Sequence, residues 1–449
     1  MTFVYRLLRW AVRTALGIHY AELEVHGAEG IPREGPLLIL ANHHIGMIDP
    51  MLVMAVSERP VRYIAKSTLF KVPVLAFFMR QLGSIPAYRP QDPGYDKRKN
   101  LALYEAVAEA LAAGGAVGIF PEGKSHTDPG VAELKHGTAR MAFEAEATRG
   151  FQLGLAVQLV GIHFERTRGW RGKVLVHVAP PLKLGADARE RYADDPREAV
   201  DDLTQELRTR LAEMVLDVET NRMRGLADLV QAMDVLQERE AESGDLKQRF
   251  DHKQRLVEAY RLAREQHPED VDALVRKLSR YRQLLDVLKV RDGYVAEDYR
   301  LGRTLGFALR HTLLAVLGLP LVALSTLLNG VPYWIARIAA RASRADIDVR
   351  TSVGLIVGIV LFPLWYLGLV ATAIALRWDP LLWIPLVVLG PALGVFTARW
   401  FDAWRRLLRG TWGLYLTLRM PSCRTRLRTL RSEILSDVDA LAGRVAAGT

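Results

Sequence analysis

A chain of 449 residues has room for roughly three domains of about 150 residues each. It is 50% hydrophobic and 24% charged, too apolar for a disordered protein and too charged for one made only of membrane spans. The single cysteine, Cys423, excludes an internal disulfide and a multi-cysteine metal cage and suits a reducing compartment. A net charge of +10 calls for an anionic partner, nucleic acid or a membrane face, and apolar segments in the same chain favour the membrane.

Residues 1–20 predict a basic amphipathic helix. Arg6, Arg9 and Arg13 share one helical face, while Phe3, Val4, Leu7, Leu8 and Val12 occupy others. That pattern fits a helix lying on a bilayer surface, and equally a helix packed on its own domain. Arginines interrupt every apolar run, which speaks against a signal peptide.

Residues 21–185 alternate short β-rich runs with helical stretches. Pro36–Leu40, Ala116–Phe120, Gly154–Ile162 and Lys173–Val178 are strand candidates bounded by Gly, Pro or charge, and Lys99–Ala113 has a helical pattern. The alternation predicts an α/β domain with a largely parallel core. Residues 186–300 contain no convincing strand. Val200, Leu203, Leu207, Leu211 and Val215 recur at helical spacing among charges, with Gly244 and Pro268 as the expected breaks of a helical region.

Residues 301–420 form a membrane region, followed by a C-terminal helix over 421–449. A transmembrane helix needs about 20 apolar residues. Residues 353–376 and 381–397 meet that need and are joined by the turn Arg377-Trp378-Asp379-Pro380. Residues 312–328, no longer than 381–397, carry Gly318 and Pro320 and have Arg303, Arg310 and Arg337 around them, so this segment is expected to be re-entrant or interfacial. Arg337, Arg341, Arg344 and Arg350 precede the hairpin, Arg399, Arg405, Arg406 and Arg409 follow it, and only Arg377 lies between. The positive-inside rule then puts both hairpin ends in the cytosol.

The stretch from Asn42 to Pro50 follows one strand candidate and precedes the helical pattern Met51–Val56. Asp49 and Pro50 suit an N-cap and first helical position, and Gly46 gives the intervening turn its freedom. His43 and Asp49 can meet across such a turn, where imidazole takes a proton from a hydroxyl and the carboxylate fixes its tautomer. On spacing alone a His–Asp pair is more often structural. A metal site at the adjacent His43 and His44 is a third reading, with no cluster of further ligands in the sequence.

Further blocks follow in order: Ala65-Lys66, Leu69-Phe70 and Gly83 through Arg89; then Phe120-Pro121-Glu122-Gly123-Lys124-Ser125-His126 and Leu134-Lys135-His136-Gly137; then Leu159-Val160-Gly161-Ile162. Together with the first block they resemble the PlsC-like glycerolipid acyltransferase superfamily over about 120 residues, the last block standing where that family usually has a proline-valine pair. Five residues separate His43 from Asp49 and four separate His44 from it, four being the usual spacing, and Ser125-His126 replaces the common arginine and serine. Both departures are similar to the fungal-type glycerol-3-phosphate and dihydroxyacetone-phosphate acyltransferases and their bacterial relatives. That resemblance reaches Asn329-Gly330-Val331-Pro332-Tyr333 and Phe362-Pro363-Leu364-Trp365-Tyr366.

The resemblance implies an α/β acyltransferase domain, then an α-helical region and C-terminal transmembrane helices, with the catalytic domain on the cytosolic face of a membrane. It implies transfer of a fatty acyl group from acyl-CoA or acyl-carrier protein to glycerol-3-phosphate or lysophosphatidate, without a metal or redox cofactor. His43 is then the base, His44 the alternative base that restores the commoner spacing, and Asp49 the orienting carboxylate. Arg89, Lys66 and Lys135 would hold the acceptor's phosphate. Glu122 would accept from its hydroxyls, Gly123 would permit close backbone approach, and Ser125 and His126 would complete the substrate site. Taken singly, the cations are ordinary surface charges and Glu122-Gly123 an ordinary turn. The expected partners are membrane lipid, the acyl thioester and a phosphorylated glycerol or lysophospholipid acceptor, not nucleic acid. The alternatives are lipid remodelling with another lysophospholipid and a non-catalytic membrane scaffold on this fold.

Overall fold

In the computed structural model the alternating runs form one eight-stranded sheet. The structure describes residues 3–88, 97–126, 130–165, 171–216, 227, 230, 245–290, 292–296, 301–343 and 347–448. The strands are β1 (Glu22–His26), β2 (Leu37–Ala41), β3 (Val61–Lys66), β4 (Ile85–Ala87), β5 (Ala116–Ile119), β6 (Ala156–Phe164), β7 (Lys173–Val178) and β8 (Leu182–Lys183). Their order is β1-β7-β6-β2-β5-β3-β4, with β8 on β6, and helix α3 (Pro73–Gln81) lies between β3 and β4 in the chain. The pairs from β6 through β4 are parallel, while β7 and β8 run antiparallel to β6. The expected strands are present within a residue or two, and β1, β3, β4 and β8 are not marked by such apolar runs.

Every residue of β2 is buried because both faces of the parallel centre are covered. Leu38 and Leu40 join a core with α4 (Lys97–Ala112), α5 (Gly137–Ala147) and α7 (Pro196–Glu213). Leu37, Ile39 and Ala41 point the other way, into a core with α1 (Phe3–His19) and α2 (Ile48–Val56), as the two-residue period of a strand requires. The helical spacing read at Val200, Leu203, Leu207, Leu211 and Val215 is the face α7 and the residues after it bury in the first core. The first unit therefore does not stop at residue 185. It comprises Met1–Asp217 and Ala336–Ile359 and takes in α6 (Ala186–Asp194) and α7, whose buried apolar residues belong to the first core.

Helix α1 packs on its own domain along one face and leaves another exposed. Tyr5, Val12 and Leu16 are buried in the second core, while Phe3, Leu7 and Trp10 form an exposed apolar stripe. Arg9 is not a bilayer-facing cation: its guanidinium donates to the carbonyls of Met54 and Ala55, both at 3.2 Å, capping the end of α2. At the other end Arg171 donates to the carbonyls of Ile18 and Tyr20. Burial, and then the charge of Arg171, push the His19 imidazole down to about 4. The folded chain thus keeps His19 neutral where the unfolded chain protonates it at about 6.5. This contribution is fully present above pH 6.5 and is lost as pH falls toward 4, to a limit of about 3 kcal/mol. Thermal unfolding of the detergent-solubilised chain between pH 7 and 4 should show a smaller loss in His19→Gln. Parallel curves would contradict this reading.

The second unit, Val218–Ile335 with Val360–Thr449, is helical where described. It contains α8 (Leu246–Gln266), α9 (Pro268–Leu288) and α10 (Asp292–Ala296). It also holds parts of α11 (Leu301–Ala342) and α12 (Ile347–Ala375), then α13 (Pro380–Arg419) and α14 (Pro421–Gly448). Pro268 opens α9 as expected, and Gly244, like Arg344, lies outside the described residues. Leu278, Tyr281 and Leu285 of α9 pack against Leu427, Ile434 and Leu435 of α14.

Thr312–Ala342, Arg350–Ala375 and Pro380–Arg405 are each long and apolar enough to cross a membrane. The last two contain the expected hairpin. The first carries the segment 312–328 expected to be re-entrant or interfacial; α11 runs unbroken through Pro320 and Pro332, which is not the broken path of a re-entrant segment. Membrane helices tolerate proline when the freed carbonyl finds another donor. Pro332 cannot donate to the Leu328 carbonyl, and the indole of Trp365 does so instead at 2.8 Å. One turn away, buried Asn329 donates to the carbonyls of Ser325 and Gly390 and accepts from the Tyr366 hydroxyl. This single amide links α11, α12 and α13 by interhelical bonds of the kind that hold membrane helices together.

Candidate functional site

The blocks that the sequence scatters from residue 42 to 162 end on neighbouring strands. His43 follows β2, Glu122 follows β5, Lys66 ends β3, and these strands are parallel, so all three lie at carboxyl ends on one edge of the sheet. Open α/β sheets bind ligands at that edge. The fourth block lies in β6 on the other side of β2. There the buried Asn42 side chain donates to the Ile162 carbonyl (2.9 Å) and accepts from the Ile162 N–H (2.7 Å), so it continues the β2–β6 ladder as the backbone turns away. Gly161 is needed beside it, because a Cβ would stand 2.6 Å from the Met214 carbonyl oxygen.

The turn after Asn42 passes through Gly46 (φ +24°) and enters α2 at Ile48, one residue before the expected cap. Asp49 thus lies in the first turn, fully buried, where the helix dipole favours a carboxylate. Its Oδ2 accepts from His43 Nδ1 at 2.8 Å and from the backbone N–H groups of His44 (2.7 Å) and Ile45 (2.8 Å). The His43 ring stacks on Phe120, with centroids 4.4 Å apart, and its side chain remains partly exposed.

His44 is placed differently. It is buried, its Nδ1 bonds the His126 carbonyl at 3.2 Å, and only its backbone reaches Asp49. Burial pushes its imidazole below the ordinary value, and the nearby carboxylates of Asp49 and Glu122 oppose that shift only in part. The two adjacent histidines turn to different partners, so they do not converge as a ligand pair.

Glu122 is buried, and both of its oxygens are already engaged. Oε1 accepts from the His43 backbone N–H at 3.0 Å and Oε2 pairs with His126 Nε2. The His126 N–H donates in turn to the His43 carbonyl at 3.1 Å. Glu122 and His126 therefore brace the His43 turn, and each carboxylate oxygen keeps a second lone pair beyond these bonds. Gly123 has φ +70°, and a Cβ there would meet Lys135 Nζ at 2.6 Å, so the glycine lets that exposed lysine lie over the turn. Ser125 is half-buried on the same loop, and Lys66 is exposed at the end of β3. Arg89 lies outside the described residues.

Sequence reading missed Phe120 as the ring beneath His43 and Asn42 as the anchor of the turn, although both stand in quoted blocks. It also missed Tyr20, whose buried hydroxyl is pushed above its ordinary value by burial and then by the charge of Asp49. No motif marks Tyr20, because its relation to Asp49 exists only after folding.

Residues 22–161 match the family model described as Acyltransferase. The chain is 32% identical over 116 residues to Glycerol-3-phosphate O-acyltransferase 2 of Saccharomyces cerevisiae, covering 26% of this chain and 16% of that protein. It is 25% identical over 138 residues to the 1-acyl-sn-glycerol-3-phosphate acyltransferase of Borreliella burgdorferi, covering 31% and 53%. Thus the chain spans about half of these relatives' length or less. The crystal structure of the 1-acyl-sn-glycerophosphate acyltransferase PlsC from Thermotoga maritima aligns with a TM-score of 0.33 at 20% identity, over 44% of this chain and 79% of that one. Residues 22–161, which hold His43, Asp49 and Glu122, are a domain of the acyltransferase family.

Proposed function

We propose that this chain transfers a fatty acyl group from a thioester, acyl-CoA or acyl-carrier protein, to a hydroxyl of glycerol-3-phosphate or lysophosphatidate at a membrane. The observation that carries the reading is the 2.8 Å bond from His43 Nδ1 to buried Asp49, inside the matched stretch and at the carboxyl edge of the sheet. Asp49 holds the proton on Nδ1, which leaves Nε2 to take the acceptor's hydroxyl proton. The alkoxide oxygen attacks the thioester carbonyl carbon, the C–S bond breaks, and the imidazolium returns its proton to the departing thiolate. No metal or redox cofactor enters this sequence.

Lys135 over Gly123, Lys66 and Arg89 are the cations proposed to hold the acceptor phosphate. Glu122 and His126 keep the His43 backbone in place, and Ser125 lies beside them. Three apolar helices and the exposed Phe3, Leu7 and Trp10 stripe support contact with lipid. The arginines flanking the hairpin support a catalytic domain on the cytosolic face.

The reading is tested by thioester consumption in purified membranes, with glycerol-3-phosphate and lysophosphatidate offered separately. Turnover with one of them fixes the acceptor. Turnover only with a different lysophospholipid would make the chain a remodelling enzyme, and none with any acceptor would leave a scaffold on this fold.

A further inference from the structure

The turn between β2 and α2 has more backbone donors than its own segment can satisfy. Glu122 accepts from His43, Asp49 accepts from His44 and Ile45, and the Ile45 carbonyl accepts from Ile48 and Asp49. The Met47 N–H has no such local acceptor. It donates at 3.0 Å to the hydroxyl of Ser352, 305 residues away in the first turns of α12.

Ser352 is fully buried, and Leu355 and Ile359, one and two turns further on, pack against the core that contains Ile45, Ile48 and Leu52. On its other side α12 meets α11 closely: a Cβ at Gly354 would stand 3.3 Å from Ala340 Cβ. All of these residues belong to the first unit. The start of an apolar, span-length helix is thus part of the wall of the His43 turn, held by a directional bond as well as by packing.

We propose that Ser352 is a positioning residue for acyl transfer: its hydroxyl fixes the Met47 N–H and so holds the turn in which Asp49 aligns His43. The membrane helix would then act on chemistry as well as on anchoring. The kinetic part of this inference rests on the acyltransferase reading, whereas the structural part does not.

The experiment compares the full-length chain in membranes with Ser352→Ala and with Leu355→Ala, which removes packing but no hydrogen bond. Hydrogen exchange of the 42–56 segment and thioester kinetics are measured on each. In Ser352→Ala the Met47 amide is expected to exchange about tenfold faster. Its kcat is expected to fall about tenfold with KM for both substrates within about twofold, the mark of an interaction that acts on the chemical step. Leu355→Ala, which loosens the packing and keeps the bond, should change Met47 exchange and kcat by clearly less than Ser352→Ala does, within about threefold of the unsubstituted chain.

Unchanged exchange at Met47, or unchanged kcat, in Ser352→Ala overturns the proposal. Equal losses in both variants also overturn it, since packing alone would then be at work. Membranes of the unsubstituted chain that consume no thioester would sink the acyltransferase reading and the positioning role with it, and exchange at Met47 would still decide whether the bond to Ser352 forms.

Discussion

Replacing His43 with alanine is expected to lower thioester turnover about 1,000-fold at unchanged protein level, the middle of the range for losing a general base. The geometry separates it from its neighbour. His43 offers an oriented ring, bonded to Asp49 through Nδ1 and partly exposed through the rest. His44 is buried, with its Nδ1 on the His126 carbonyl and its imidazole disfavoured as a cation. His44→Ala should therefore retain activity within about tenfold while losing stability from the cavity and the broken bond. Turnover in membranes matched for protein amount, alongside thermal unfolding, checks both. Loss that followed His44 and spared His43 would overturn the assignment of the base.

Asp49 is expected to show two different failures in two substitutions. Asp49→Asn keeps the size and an acceptor oxygen, so the turn should fold. The charge that stabilises an imidazolium at His43 is gone, and kcat should fall about 100- to 10,000-fold, as neutralising the carboxylate of such a pair does elsewhere. Asp49→Ala removes the acceptor for His43 Nδ1 and two backbone donors at once in a fully buried site. Each buried donor left unsatisfied costs about 1–3 kcal/mol, and a loss of about 5 kcal/mol approaches the whole stability of an ordinary domain. The expected outcome is little folded protein, or an unfolding midpoint lowered by more than about 10 °C. An Asp49→Ala chain as stable as the unsubstituted one would mean that these three bonds do not hold the turn.

Patterning along the chain marks the class of the fold and the stretch that carries the candidate site. Short apolar runs bounded by Gly, Pro and charge fall on strands, because a strand buried on both faces needs apolar residues at every position, as in β2. The spacing of Val200 through Val215 found a buried helix face by the same logic of period. The order of the blocks pointed to His43 and Asp49, since a local turn can bring residues six apart into contact.

Features that depend on distant contacts appear only once the chain is folded. His43 and His44 are equivalent neighbours in a sequence, and it is the packing of Phe120 and His126 that gives one ring to Asp49 and the other to the interior. Glu122 has the chemistry of a substrate contact, and only the fold shows that its oxygens also accept from the His43 backbone and pair with His126. Gly318 and Pro320 spoke for an interrupted segment, yet α11 continues through them and through Pro332, where an indole on another helix satisfies the Leu328 carbonyl. Ser352 carries no motif at all. Its hydroxyl matters because the fold sets it 3.0 Å from the Met47 nitrogen, and directional bonds across 305 residues leave no period or spacing for a sequence to display.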